Sequence, residues 1–144
     1  MSESKWVWQC GCVIPSKAGA GRPIVKDVLK NLAKNGWDKH DIFGIHLALE
    51  EAIGNAIRHG NQLDGEKQVK VGCWISTDLF RAEVTDEGKG FDADGLPDPT
   101  NEEWLSTPHG RGVMLMRSFM TKVDFNETGN CVILEKRAGD CPDK

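Results

Sequence analysis

The amino-acid sequence predicts an α+β fold, a two-layer α/β sandwich whose helices cover one face of a mixed, mostly antiparallel sheet. Three observations lead there. Five stretches alternate apolar and polar residues with period two, three stretches repeat apolar residues at helical spacing, and the helices come in blocks between hairpins instead of alternating one for one with strands.

Residues 5–14, KWVWQCGCVI, open the chain with strand formers, and Trp6, Trp8, Cys10, Cys12 and Ile14 fall on one side of the pleat. After a small-residue loop, Arg22-Pro23 begins a helix carrying Ile24, Val25, Val28, Leu29, Leu32 and Ala33 on one stripe, and Gly36 stops it. A second helix starts after Asp38 or Asp41, either of which can cap it, and runs to about Gly60-Asn61. Residues 68–76 and 79–85 alternate and are joined tightly enough for a hairpin. Residues 86–112 hold no period of either kind. Loops of that length are usually functional, and this one reads as a lid over about 91–112. A third helix is expected from 113 to about 120, and a last strand pair, 122–126 and 130–136, turns at Thr128-Gly129.

Composition bounds the function. With 144 residues, 39% of them hydrophobic, the chain supports one domain over 1–144, with its core at about 5–136. A formal charge of -4 argues against a nucleic-acid surface, which needs Lys and Arg in excess. The segment after Met1-Ser2-Glu3 has neither a signal-peptide core nor a membrane-length apolar run, so a cytoplasmic protein that does not enter membranes is expected. Five cysteines match no zinc knuckle and no CxxC pair, and read as reduced thiols.

Chemistry concentrates in three places. Glu51, Asn55 and His59 follow at intervals of four on the second helix, within a sector of about 80°, so they can address one site. Taken alone they would be a solvated stripe, but Ala52 and Ala56 beside them allow a ligand to approach closely. Asp86, with Gly88 and Gly90, ends a strand and opens the lid, placing a carboxylate beside freely bending backbone. His109-Gly110-Arg111-Gly112 stands immediately before the third helix, where N–H groups and the helix dipole favour an anion. Two other nucleotide motifs fail. Lys89 is followed by glycine, not the hydroxyl a P-loop requires, and Gly88-x-Gly90-x-x-Ala93 runs into Gly95-Leu96-Pro97 instead of opening a helix.

In this order and spacing, Glu51-Ala52-Ile53-Gly54-Asn55, Asp86-x-Gly88-x-Gly90 and Gly110-Arg111-Gly112 resemble the N, G1 and G2 boxes of the Bergerat (GHKL) ATP-binding superfamily. The likeness spans roughly residues 20–136 and is strongest to anti-sigma factor serine/threonine kinases, whose Glu-Ala-x-x-Asn helix ends in His and whose lid exits through Gly-Arg-Gly. The resemblance implies ATP and Mg²⁺ as cofactors. Asn55 would ligate the metal, Asp86 would accept a hydrogen bond from the adenine amino group, and Gly88 and Gly90 would let the chain pass the base. His59 would complete the helix that lines the site. Backbone N–H groups around Gly110–Gly112 would hold phosphates, Glu51 would be the general base and Arg111 would offset charge on the transferred phosphoryl group. Gly129-Asn130 stands where the family has Gly-Thr, and Asn130 keeps the capacity to reach adenine through water.

The resemblance also implies a partner-switching role, with an anti-anti-sigma (STAS) domain as substrate, and leaves room for a sigma factor and a second copy of the chain as partners. A different class of function is an ATP-gated binding module without phosphotransfer; retention of Glu51 favours the kinase. A sensor histidine kinase would need a helical hairpin with a phosphoacceptor His, for which the chain has no room.

Overall fold

The structure is a computed structural model that describes residues 6–88 and 108–140, with only the backbone of 108–111. Its elements run β1 (Trp8–Pro15), α1 (Arg22–Lys34), α2 (Lys39–Asn55), a π-helical turn (Ala56–Gly60), β2 (Gln68–Ile75), β3 (Leu79–Thr85), α3 (Pro108–Phe119), β4 (Lys122–Phe125) and β5 (Cys131–Arg137). The strands form one sheet in the order β1-β2-β3-β5-β4. The expected two-layer α+β sandwich is present, and its sheet is antiparallel at every described pairing, where a mixed sheet was expected. Connectivity explains the difference. Two helices in succession return the chain to β2 running against β1, and the single helix α3 brings β4 back parallel to β3 with β5 between them.

Local chemistry sets the element ends. Pro23 stands in the first turn of α1, whose start has no side-chain cap, and the helix closes in a Schellman turn. There the Gly36 N–H reaches Ala33, the Trp37 N–H reaches Leu32, and Gly36 adopts φ +83°. Of the two caps open to α2, Asp38 is the one used: its carboxylate accepts the Asp41 N–H at 2.9 Å. Asp41 instead turns inward, accepting the Gly139 N–H at 2.8 Å and lying 3.8 Å from the Lys136 ammonium. Both side chains are buried, and Lys136 also donates to the Asp140 carbonyl. The β2–β3 hairpin closes on Ser76, whose hydroxyl oxygen accepts the N–H groups of Asp78 and Leu79.

Two boundaries differ from the sequence reading in ways that matter. The second helix leaves α-geometry at Ala56, and the Asn61 N–H bonds to the Ala56 carbonyl across a wider turn. The third helix begins at Pro108, not at 113, so Gly110, Arg111 and Gly112 lie inside it. Proline is well suited to a first helical position because its missing N–H would be unpaired there anyway.

The core lies between the sheet and the helices. Val69, Val71, Cys73 and Ile75 of β2, Phe80, Ala82 and Val84 of β3, and Val132 and Leu134 of β5 point into it, meeting Val28, Leu32, Ile45 and Leu49. Each such aliphatic or aromatic side chain contributes about 1.5–3 kcal/mol on burial. Central α2 packs on both α1 and α3 as well as on β3 and β5, which makes it the rigid platform for its own polar stripe. The four described cysteines are free thiols, and burial pushes that of Cys73 up. No helix among the described residues is long and apolar enough to cross a membrane.

Candidate functional site

A cavity of about 430 Å³ opens between the end of α2, the turn after β3 and the start of β5, a size suited to a small ligand. It brings together Asn55, His59, Asp86, Gly88 and Asn130, residues from three separate parts of the chain that the sequence had singled out. Val84, Met116 and Phe125 supply apolar wall. Glu51 sits one turn back on α2, and Gly112 of α3 backs onto both helix residues: a β-carbon at Gly112 would come within 2.6 Å of Glu51 Oε2 and 2.7 Å of Asn55 Nδ2. At the other end of the same helix pair, Gly44 of α2 receives the Phe119 ring, with 3.2 Å to a β-carbon built there. One glycine from each helix thus lets α2 and α3 approach closely enough to set the start of α3 beside the polar stripe.

Asn55 carries a feature that calls for a ligand. Its Oδ1 is buried and has no hydrogen-bond partner among the described residues, a state that costs about 1–3 kcal/mol unless something occupies it. An amide oxygen is a suitable donor to a hard cation, and Mg²⁺ is commonly held by one or two protein oxygens together with substrate phosphates. Among the described residues no group of three or more His, Cys, Asp or Glu could hold a metal ion.

Asp86 is set by close backbone contact. Its Oδ1 accepts the Gly88 N–H at 2.7 Å, while a β-carbon on Gly60 would lie 2.2 Å from Oδ2. Gly88 in turn faces the Gly60 carbonyl, 2.1 Å from where a β-carbon would stand. A side chain at Gly88 would collide with the Gly60 backbone, and one at Gly60 would push the Asp86 carboxylate from its place. Burial pushes the Asp86 carboxyl above its usual range, opposed by the Gly88 N–H and by Lys67 nearby. Arg58 folds back over Gly54 and brings its guanidinium to 4.0 Å from Glu51 Oε2.

Sequence reading missed Gly60, Asn61 and Lys67. Gly60 had been taken as a helix stop, and Lys67 lines the cavity from a polar turn that carries no pattern. Asn130 lines the cavity as expected, but its amide is engaged with protein: Nδ2 donates to the Asp86 carbonyl at 3.2 Å and Oδ1 accepts from Asn126 at 2.8 Å. Gly90 and the lid up to 107, including Trp104, lie outside the described residues. Gly110 and Arg111 are described only as backbone of the first turn of α3. The first turn of a helix presents backbone N–H groups and the positive end of the helix dipole, which suit a phosphate.

A sandwich that presents Asn55, His59 and the Asp86 turn to one cavity, with the start of α3 packed against Asn55 through Gly112, has the layout of a nucleotide-binding domain. Residues 14–136 match the family model of the histidine kinase-like ATPase domain, and the chain belongs to that family. It is similar to the serine-protein kinase RsbW of Bacillus subtilis (strain 168), with 27% identity over 121 residues, 78% of this chain and 76% of the relative. It is also similar to the RsbW of Oceanobacillus iheyensis, with 23% identity covering 83% of this chain and 78% of the relative. Among solved structures, the RsbU and RsbW domains of a Mycobacterium tuberculosis protein superpose with a TM-score of 0.62 at 17% identity. The match covers 92% of this chain and 32% of that one, and establishes the shared fold. An ATPase domain implies ATP binding.

Proposed function

We propose that this protein is an ATP-dependent protein serine/threonine kinase of the anti-sigma type, whose substrate is an anti-anti-sigma (STAS) domain in a partner-switching pathway. The observation that carries the reading is the joint placement of Glu51 and Asn55 against Gly112. It sets a carboxylate, an unpartnered buried amide oxygen and a helix start close together, beside the cavity that Asn55 lines. Similarity to relatives named serine-protein kinases supports the phosphotransfer, and the net charge of -4 accords with a protein rather than a nucleic-acid partner.

In this reading Asp86 accepts a hydrogen bond from the adenine amino group, and the Gly60–Gly88 crossing gives the base a flat passage along the backbone. His59 and Asn130 line the same cavity. Asn55 Oδ1 would hold Mg²⁺, which when bound neutralises phosphate charge. The backbone N–H groups at the start of α3, around Gly110–Gly112, cradle the terminal phosphates, and Arg111 offsets charge that develops on the transferred group. Glu51 Oε2 accepts the proton of the attacking serine hydroxyl, orienting its oxygen towards the γ-phosphorus as the bond to ADP breaks. A cytoplasmic location, one domain over 1–144, and a sigma factor and a second copy of the chain as further partners belong to the same proposal.

The decisive experiment incubates the protein with γ-labelled ATP and a panel of STAS-domain proteins, alongside Glu51→Gln. Transfer to one STAS protein, lost in the variant while ATP binding persists, supports the reading. ATP binding without transfer to any of them would identify a nucleotide-gated binding module instead.

A further inference from the structure

We infer that Asn61 and Asn130 are paired positioning residues that clamp the peptide group after Asp86 and thereby set the base selectivity of the cavity. The inference rests on the nucleotide reading above and deepens it.

The peptide unit joining Asp86 to Glu87 has one carbonyl and one N–H, and a side-chain amide holds each. Asn130 Nδ2 donates to the Asp86 carbonyl at 3.2 Å, and the Glu87 N–H donates to Asn61 Oδ1 at 2.7 Å. The two asparagines come from different elements, one just after the wide turn that ends α2 and the other at the entry to β5. The plane of the peptide is therefore gripped from both ends, which fixes the direction in which the Asp86 side chain leaves the backbone.

Neither amide is free to turn. Asn61 is fully buried, and its Nδ2 donates to Ser16 Oγ at 2.8 Å and to the Gln68 carbonyl at 3.0 Å. Its orientation follows from chemistry, because the Gln68 carbonyl can only accept and the Glu87 N–H can only donate. Ser16 passes its own proton to the Lys67 carbonyl at 2.8 Å, so the ends of β1 and β2 are tied into the same cage. On the other side, Asn126 orients Asn130 and, through its Oδ1, accepts the N–H groups of Gly129, Asn130 and Cys131. The Asp86 N–H also bonds to the Asn130 carbonyl at 2.9 Å.

Base selectivity depends on this fixity. Adenine presents an amino donor at the position where guanine presents a carbonyl acceptor, so a carboxylate held opposite that position attracts one and repels the other. A carboxylate free to slide along the base edge would instead find the ring N–H and the second amino group of guanine, both donors. The clamp denies it that movement.

The test compares binding of fluorescent ATP and GTP analogues to wild type, Asn61→Ala, Asn130→Ala and the double variant, with thermal melts to verify folding. Wild type is expected to prefer ATP, and each substitution to narrow the ATP-over-GTP preference by about tenfold, the worth of one good hydrogen bond to a charged group's support. A merely structural role would weaken both nucleotides alike and leave their ratio unchanged, and that result in the folded variants overturns the clamp while sparing the nucleotide reading. If Asn61→Ala fails to fold, the half-buried Asn130→Ala decides. A wild type without preference between the bases also overturns the clamp, and a folded wild type that binds neither analogue removes the nucleotide reading together with it.

Discussion

Gly112 lies directly against the carboxylate of Glu51, with 2.6 Å between Oε2 and the place a β-carbon would occupy. Under that distance something must move, and what moves most cheaply is the far end of a flexible side chain. Gly112→Ala is therefore expected to leave the fold intact, with the thermal midpoint lowered by only a few degrees, while displacing Glu51 and Asn55 from the start of α3. Misplacing a catalytic group by about 1 Å can cost on the order of a hundredfold in rate. Melting curves and initial rates of phosphotransfer on the same sample would check both halves.

Asn55 should tie nucleotide affinity to the metal. For wild type, removal of Mg²⁺ with a chelator is expected to weaken ATP binding severalfold or more. For Asn55→Ala, binding in Mg²⁺ should already resemble the chelated wild type and respond little to chelation. Calorimetric titrations with and without Mg²⁺ would show whether the buried Oδ1 is the group through which the metal acts.

The burial that pushes the Asp86 carboxyl up has a defined sign. A carboxyl whose folded-state pKa exceeds its unfolded value favours the fold below the unfolded pKa, and that contribution is lost as pH rises through the folded pKa. At neutral pH the ionised Asp86 thus works against stability. Asp86→Asn is expected to raise the melting temperature at pH 7 while abolishing most ATP affinity, by about ten- to a hundredfold, because an amide can present a donor to a donor. In wild type, ATP affinity should fall on acidification, beginning at a higher pH than an ordinary aspartate would give. Binding titrations between pH 4 and pH 8, with melts of the variant, would test this.

The buried Asp41–Lys136 pair holds the turn after β5 to the start of α2. Lys136→Met alone leaves a buried carboxylate without its cation and is expected to cost about 3–5 kcal/mol. Replacing both, as Asp41→Leu with Lys136→Met, should recover much of that loss. Chemical denaturation of these two variants and of Asp41→Leu alone would measure the coupling, and ATP binding per folded molecule should be unaffected because the pair stands apart from the cavity lining.

Much of this layout was legible in the sequence. Alternation along β2 and β3 and the stop at Gly36 reported themselves through local chemistry, and Asn55 and Asp86, singled out by spacing and by the glycines near them, line one cavity. The start of α3 was not, because Gly110 and Gly112 look like loop residues: glycine inside a helix costs about 1 kcal/mol, a cost justified here only by what packs against Gly112. Asn61 escaped for a different reason. Its bond to Glu87 spans 26 positions and that of Asn130 to Asp86 spans 44, so only the folded topology brings them together. Lys136 sat on the inward face of a strand by simple alternation, yet the acid that makes its burial tolerable belongs to another layer.

The widened turn over Ala56–Gly60 makes chain length itself part of the site. Deleting a single residue there would let the helix close into ordinary α-geometry and swing all that follows by about 100°. Gly60 would leave Asp86, and Asn61 would be drawn from its cage. The exposed stretch at 63–66 just beyond it is tied back to the same turn, because the Leu63 N–H bonds to the Ile57 carbonyl at 2.8 Å and the Asp64 N–H to that of Asn61 at 3.0 Å. The residue count of this turn is thus a ruler, which measures out where the next segment meets the site.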